Sequence, residues 1–159
     1  MNAPSQYFRA GVGAAIVNRS GLVLALERAD MPGAWQLPQG GLQAAESPLH
    51  AVFREVQEET GIPKGELELL DTYPEPLAYE LPPEAWSKKT GRGQVGYWFL
   101  LRFHGSETAI HLEKAAEFSA WQWLLFMQLV TQVVEFRQPV YRRLYERFTP
   151  HVAVPSPET

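Results

Sequence analysis

The chain opens on an apolar run, GVGAAIV at 11–17, which resumes after NRSG as LVLALE at 22–27. Two such runs across a glycine-containing turn predict a β-hairpin with both strands buried. MPGAWQLPQGG at 31–41 follows with two prolines and three glycines, a composition that predicts irregular backbone. A helix comes next: Ser47 can cap it, Pro48 suits its first position and Gly61 can end it in a left-handed conformation. Leu49, Val52, Phe53 and Val56 fall at i, i+3, i+4 and i+7, which predicts one apolar stripe against the core. ELELLDTY at 66–73 reads as a strand, and the Pro- and Gly-rich stretch 74–93 reads as a long loop. QVGYWFLLRF at 94–103 and FSAWQWLL at 118–125 read as further strands. A second helical pattern runs from 126 to 148, with Pro139 breaking it or starting its last section. Strands alternating with helices predict a mixed α/β domain.

With 159 residues, 45% of them hydrophobic, the chain can bury one core but not two comfortable ones. The expectation is a single domain over 1–150 and a flexible C-terminal tail over 151–159. A formal net charge of −4 argues against a basic surface that tracks duplex DNA, although contact with one end of a strand stays open. The absence of cysteine excludes disulfides and thiolate chemistry. MNAPSQYFRA lacks the features of a secretory signal, and no run reaches the ~20 apolar residues of a membrane helix. The expectation is a soluble, cytoplasmic protein with no membrane partner; the residues name no protein partner.

Within REVQEET at 54–60, Glu55, Glu58 and Glu59 fall inside five positions. At about 100° per residue they share roughly a quarter of the helix circumference, beside the apolar stripe. Like-charged neighbours on a helix cost about 0.2–0.5 kcal/mol per pair and more where desolvated, so something must compensate. Arg54 can pair with Glu58, but one guanidinium cannot neutralise three carboxylates. A divalent cation can. Carboxylate oxygens without thiolate or histidine at ligand spacing suit Mg²⁺ or Mn²⁺ over Zn²⁺. The glycines of PQGGL would let a backbone carbonyl, that of Gly40, approach the same ion. Such a site can clamp a polyphosphate and activate water. Glutamates also crowd solvated helix faces, and the helix alone leaves both readings open.

Gly40, Glu46 and the run Arg54-Glu55-Val56, Glu58-Glu59, Gly61-Ile62 fill all nine fixed positions of the pattern GX5EX7REUXEEXGU, with U a bulky aliphatic, over 23 residues. The segment resembles the Nudix box. That resemblance implies an α/β/α sandwich with a mixed sheet and Mg²⁺- or Mn²⁺-dependent hydrolysis of nucleoside diphosphates linked to another group. It implies that Glu55, Glu58 and Glu59 bind metal, one of them doubling as general base, and that Arg54 and Glu46 orient the loop and helix.

WQLPQGG at 35–41, GQVGYWFLL at 93–101, AEFSAWQW at 116–123 and QVVEFRQPVYRRL at 132–144 are similar to segments of bacterial RNA 5′-pyrophosphohydrolases and the related dinucleoside polyphosphate hydrolases. The implied reaction removes pyrophosphate from a 5′-triphosphorylated RNA end, which licenses mRNA decay; the alternatives are asymmetric cleavage of diadenosine tetraphosphate and a non-catalytic nucleotide- or RNA-sensing module. By the same match Glu117 resembles an additional metal carboxylate that also enters catalysis. Arg9 and Arg28 resemble arginines near phosphates or the first base, Phe136 an aromatic on which a base stacks, and Gln39 and Gln94 substrate contacts. Where the family usually carries a lysine that meets a distal phosphate this chain has Tyr97, an uncharged substrate contact by the same match, with Lys88, Lys89 and Arg92 just upstream. The four histidines, His50, His104, His111 and His151, show no ligand spacing.

Overall fold

The first strand, β1 (Phe8–Val17), is buried from Gly11 to its end, and the reason lies in what covers it. Ala14 and Ile16 join one apolar cluster, Ala15 and Val17 the other. Both faces of the strand are therefore occupied, which is why its sequence reads as a continuous apolar run and not as an alternation. The computed structural model describes residues 7–112 and 117–155.

Eight strands form one mixed sheet in the order β3 (Trp35–Gln36), β2 (Val23–Arg28), β1, β7 (Gly93–Phe103), β5 (Leu67–Thr72). Off this path, β4 (Gln39–Gly41) pairs with β1, β6 (Leu77–Glu80) with β7, and β8 (Phe118–Leu124) with β2. β1 and β7 run parallel from Phe8↔Gly93 to Val17↔Arg102; the other pairings are antiparallel. On one face, Val52 and Val56 of helix α1 (Pro48–Thr60) pack with Phe99 and Leu101. On the other, Phe126 and Leu129 of α2 (Phe126–Gln132) and Tyr141, Leu144 and Phe148 of α3 (Gln138–Phe148) pack with Trp98 and Leu100. The expected α/β/α sandwich is the observed one. Among the described residues no helix is long and apolar enough to cross a membrane.

Three local expectations give way to tertiary pairing. Residues 31–41 are not wholly irregular, because β1 meets β2 only at Val17↔Val23, and its open N-terminal half pairs instead with Gln39–Gly41. The stretch 74–93 contains β6, whose backbone pairs with Gly93–Gly96 despite the surrounding prolines. In α1, Leu49 is exposed and Phe53 only partly buried; the inner face is built on Ala51, Val52, Val56, Glu59 and Thr60. A hydrophobic count passes over Ala51 and cannot foresee a buried glutamate. The helical pattern 126–148 divides as expected, with Pro139 in the first turn of α3. At the expected tail, Ala153 N–H donates to Gly21 O at 2.9 Å, and residues 156–159 lie outside the described residues.

One buried contact fixes the segment 35–41 from behind. Tyr141, fully buried, packs edge-on against Trp98 with ring centroids 5.9 Å apart, and its hydroxyl accepts from Leu37 N–H at 2.8 Å. Tyr141→Phe strands that N–H without a partner, so it should cost about 1–3 kcal/mol; a lower urea midpoint at unchanged m-value would show it. On the surface, Arg147 of α3 grips Asp71 of β5 at 2.9 and 3.2 Å, and this hydrogen-bonded pairing holds the Asp71 carboxyl below its ordinary value of 3.8. A lowered carboxyl pKa gives stability that is present above the unfolded value and lost as pH falls through the folded one. Asp71→Asn should therefore show a small deficit at pH 7, about 0.2–1 kcal/mol for so accessible a pair. That deficit should vanish as acid titrates the wild-type carboxylate, read as converging urea midpoints.

Candidate active site

Helix α1 is fixed at both ends before any of its acids matter. Ser47 Oγ accepts from His50 N–H at 3.2 Å. Gly61, at φ 80°, turns the chain out with its N–H donating to Gln57 O, a conformation that favours glycine. Between these caps the three acids are buried to very different depths. Glu58 is mostly exposed, the Glu55 side chain is 14% exposed, and Glu59 is 5% exposed.

Arg54 ties the helix to the turn before it. Its Nε and Nη2 donate to Glu46 at 2.7 and 2.8 Å, and Nη2 also donates to Gly41 O at 3.0 Å. Nη1 reaches Glu55 at 2.8 Å and Glu58 at 3.3 Å. The guanidinium holds the Glu46 carboxyl down to about 2. Glu59 is outside this network. It accepts from Gln39 N–H at 3.1 Å, and burial, followed by the charges of Glu55 and Glu117, pushes its carboxyl well above the ordinary value. Burial also raises Glu55, against the pull of Arg54.

A buried carboxylate beside two more, with no cation paired to it among the described residues, fits a divalent ion. The donors are oxygens throughout, and Gly40 lies so close that an added Cβ would overlap the Glu55 carboxylate. Among the described residues no three acidic or histidine side chains already converge on one point, because Arg54 occupies Glu55 and Glu58.

These acids form one wall of a cavity of about 670 Å³. The same cavity is lined by Arg9, Arg28, Gln39, Gln94, Glu117 and Arg137. Gly40 lines it too, whereas Arg54 and Glu46 do not and stand behind the helix wall. Phe136 lies in an adjoining slot of about 50 Å³ that shares Arg28, Gln36 and Arg137 with the cavity. Tyr97 is not brought to either: three residues from Gln94 on the same strand, it projects from the opposite face of β7, and it is exposed there. Lys88, Lys89 and Arg92 line neither space; Arg92 pairs with Glu80 at 2.8 Å and lies over Trp86. Trp35, Trp121 and Trp123 pack against the two cores as expected of strand aromatics.

The structure adds residues that the sequence did not single out. Arg137 is 7% exposed, donates from Nη1 to Gln36 Oε1 at 2.7 Å, and leaves Nε without a partner. Its guanidinium lies 5.6 Å from the Tyr79 ring and 5.7 Å from the Phe136 ring. Tyr79 donates to Gln94 Oε1 at 2.7 Å. The available signal was the arginine directly beside Phe136 in EFRQPV; nothing local distinguishes Tyr79 or Gln36.

The NUDIX domain profile matches residues 7–147. The chain is 40% identical over 151 residues to the RNA pyrophosphohydrolase of Cereibacter sphaeroides, covering 92% of this chain and 93% of that one. It is 42% identical over 149 residues to the RNA pyrophosphohydrolase of Acidiphilium cryptum, covering 89% and 90%. Its fold is similar to the dihydroneopterin triphosphate pyrophosphohydrolase of E. coli, with a TM-score of 0.70 at 20% identity, covering 89% of this chain and 99% of that one. That likeness concerns architecture alone. With a family match that spans nearly the whole chain and takes in the acidic helix, the glycine turn and the mixed sheet, the protein belongs to the NUDIX domain family.

Proposed function

We propose that this protein is a divalent-metal-dependent pyrophosphohydrolase that removes pyrophosphate from the 5′-triphosphate end of RNA. The observation that carries the reading is the meeting of both signs of charge in one cavity: Glu55, Glu58 and Glu59 line it together with Arg9, Arg28 and Arg137. Acids alone would bind an ion and arginines alone an anion; a phosphoanhydride with its cation needs both. The Cereibacter sphaeroides and Acidiphilium cryptum relatives carry the name RNA pyrophosphohydrolase, which selects RNA among polyphosphate substrates.

Glu55, Glu58 and Glu59 would hold Mg²⁺ or Mn²⁺, with Glu117 and the Gly40 carbonyl adding oxygens. When bound, the ion neutralises polyphosphate charge and lowers the pKa of water. Water adds to a phosphorus of the triphosphate, the bridging P–O bond breaks, and pyrophosphate leaves a 5′-monophosphate. The arginines bind the phosphate oxygens through their forks. A carboxylate of the α1 set accepts the proton that water gives up; Gln39 N–H fixes one of them, Glu59, by its Oε2. Arg54 and Glu46 keep helix and glycine turn in register, and Phe136 offers its ring to a base of the leading nucleotides.

Pyrophosphate release from 5′-triphosphorylated RNA should require Mg²⁺ or Mn²⁺ and stop on chelation; no turnover with metal present would refute the reading. Glu58→Gln and Glu59→Gln should lower kcat by about 10²–10⁴-fold, and Glu46→Gln by much less. A sensing module would instead keep its function in all three. At one salt concentration, kcat/KM should be higher for triphosphorylated RNA than for diadenosine tetraphosphate, and the reverse order would assign the dinucleotide as substrate.

A further inference from the structure

Arg28 closes β2 at the rim of the cavity, and the chain after it folds back on itself. Its N–H donates to Ala34 O at 2.9 Å, and the N–H of Ala29 donates to Glu117 O at 2.7 Å. The second contact places Arg28 and Glu117 on adjoining stretches of backbone, and both line the cavity. Asp30 lines it as well. Arg28 therefore has two carboxylates within its neighbourhood, and the structure shows which one holds it. Nε donates to Asp30 Oδ1 at 2.9 Å and Nη2 to Asp30 Oδ2 at 2.8 Å. Two parallel bonds fix both the direction and the plane of a guanidinium, whereas a single contact fixes neither.

We propose that Asp30 is a positioning residue: by gripping Arg28 through two parallel hydrogen bonds, it keeps this guanidinium at the cavity wall as a phosphate-binding cation and off Glu117. The inference rests on the functional reading above and adds a residue to it. Asp30 lies two positions from Arg28, so holding the pair costs little chain entropy. It is also largely exposed, with 65% of its side chain accessible, and an ion pair so placed adds little to fold stability. What it does change is where the arginine points. Released from Asp30, Arg28 would turn to Glu117, whose backbone adjoins its own and which lines the same cavity, and so occupy an acid that the cation needs.

The test is a double-mutant cycle in the full chain, using Asp30→Asn, Arg28→Ala and the two combined. Asp30→Asn keeps the size of the side chain and removes its charge. It should raise KM for triphosphorylated RNA about fivefold to tenfold with kcat within about twofold, as expected for loss of uniform binding. Calorimetry without RNA should show Mn²⁺ affinity about threefold weaker. In the Arg28→Ala background the same substitution should change neither quantity, because the group it positions is gone. Unchanged KM and Mn²⁺ affinity in the single variant would overturn the inference, and so would effects that multiply in the double variant. If the wild-type protein failed to hydrolyse RNA, the functional reading would fall, while the Mn²⁺ arm of the cycle would still decide the role of Asp30.

Discussion

The arrangement depends on an imbalance of charge: three carboxylates crowd one side of a helix, and the only guanidinium among them is already committed. Arg54 spends its five donors on Glu46, Gly41 O, Glu55 and Glu58, and the most deeply buried acid, Glu59, receives none of them. A carboxylate 5% exposed cannot stay ionised beside other acids at ordinary cost. Either it holds a proton or a cation comes to it. The same clamp divides the acids between two partners: Arg54 holds Glu55 and Glu58, and Glu59 is held by Gln39 N–H.

The sheet turns this local imbalance into a site. Parallel pairing of β1 with β7 sets Arg9 opposite Gln94, so that the N-terminal ends of two long neighbouring strands open onto the same space. The splay of β2 away from β1 leaves a gap that β4 fills, which presents Gln39 and Gly40 to the acidic face of α1. From the other layer, Tyr141 pins Leu37, and the turn before α3 sends Arg137 inward to Gln36. The cavity is thus bounded by residues far apart in sequence, held by backbone pairing and one buried phenol.

What was legible in the sequence was whatever local spacing dictates. Ser47, Pro48 and Gly61 mark the helix because capping is a matter of adjacent backbone, and the nine positions of the box carry its chemistry at fixed intervals. The hairpin and the long strands follow for the same reason, since their apolar runs need only a nearby turn. The strands at 35–36, 39–41 and 77–80 were not legible, because their pairing is decided by vacancies on β1, β2 and β7. Tyr97 illustrates a finer limit. Motif alignment places it among substrate residues, but the period of two in a strand sends it to the face away from Gln94. Arg137 and Asp30 escaped for the complementary reason: a charged residue in a short segment reads as surface until the fold shows what surrounds it.

Three arginines show how partner and burial divide one side-chain type among different tasks. Arg54 is surrounded by acids and can be of no use to a phosphate; its charge is consumed in holding helix to turn. Arg28 is paired with one acid at an exposed rim, where water and salt keep that pair weak, so its charge stays available to an anion. Arg137 is the extreme case. It is nearly as buried as Glu59, its guanidinium donates to the neutral Gln36, and the rings of Tyr79 and Phe136 flank it. Among the described residues Arg137 has no anion and Glu59 no cation paired with it, and a buried charge of either sign lining the same cavity is costly alone. A polyphosphate chelating a divalent ion answers both at once, which is the physical reason for reading this cavity as built around such a pair and not around either charge separately.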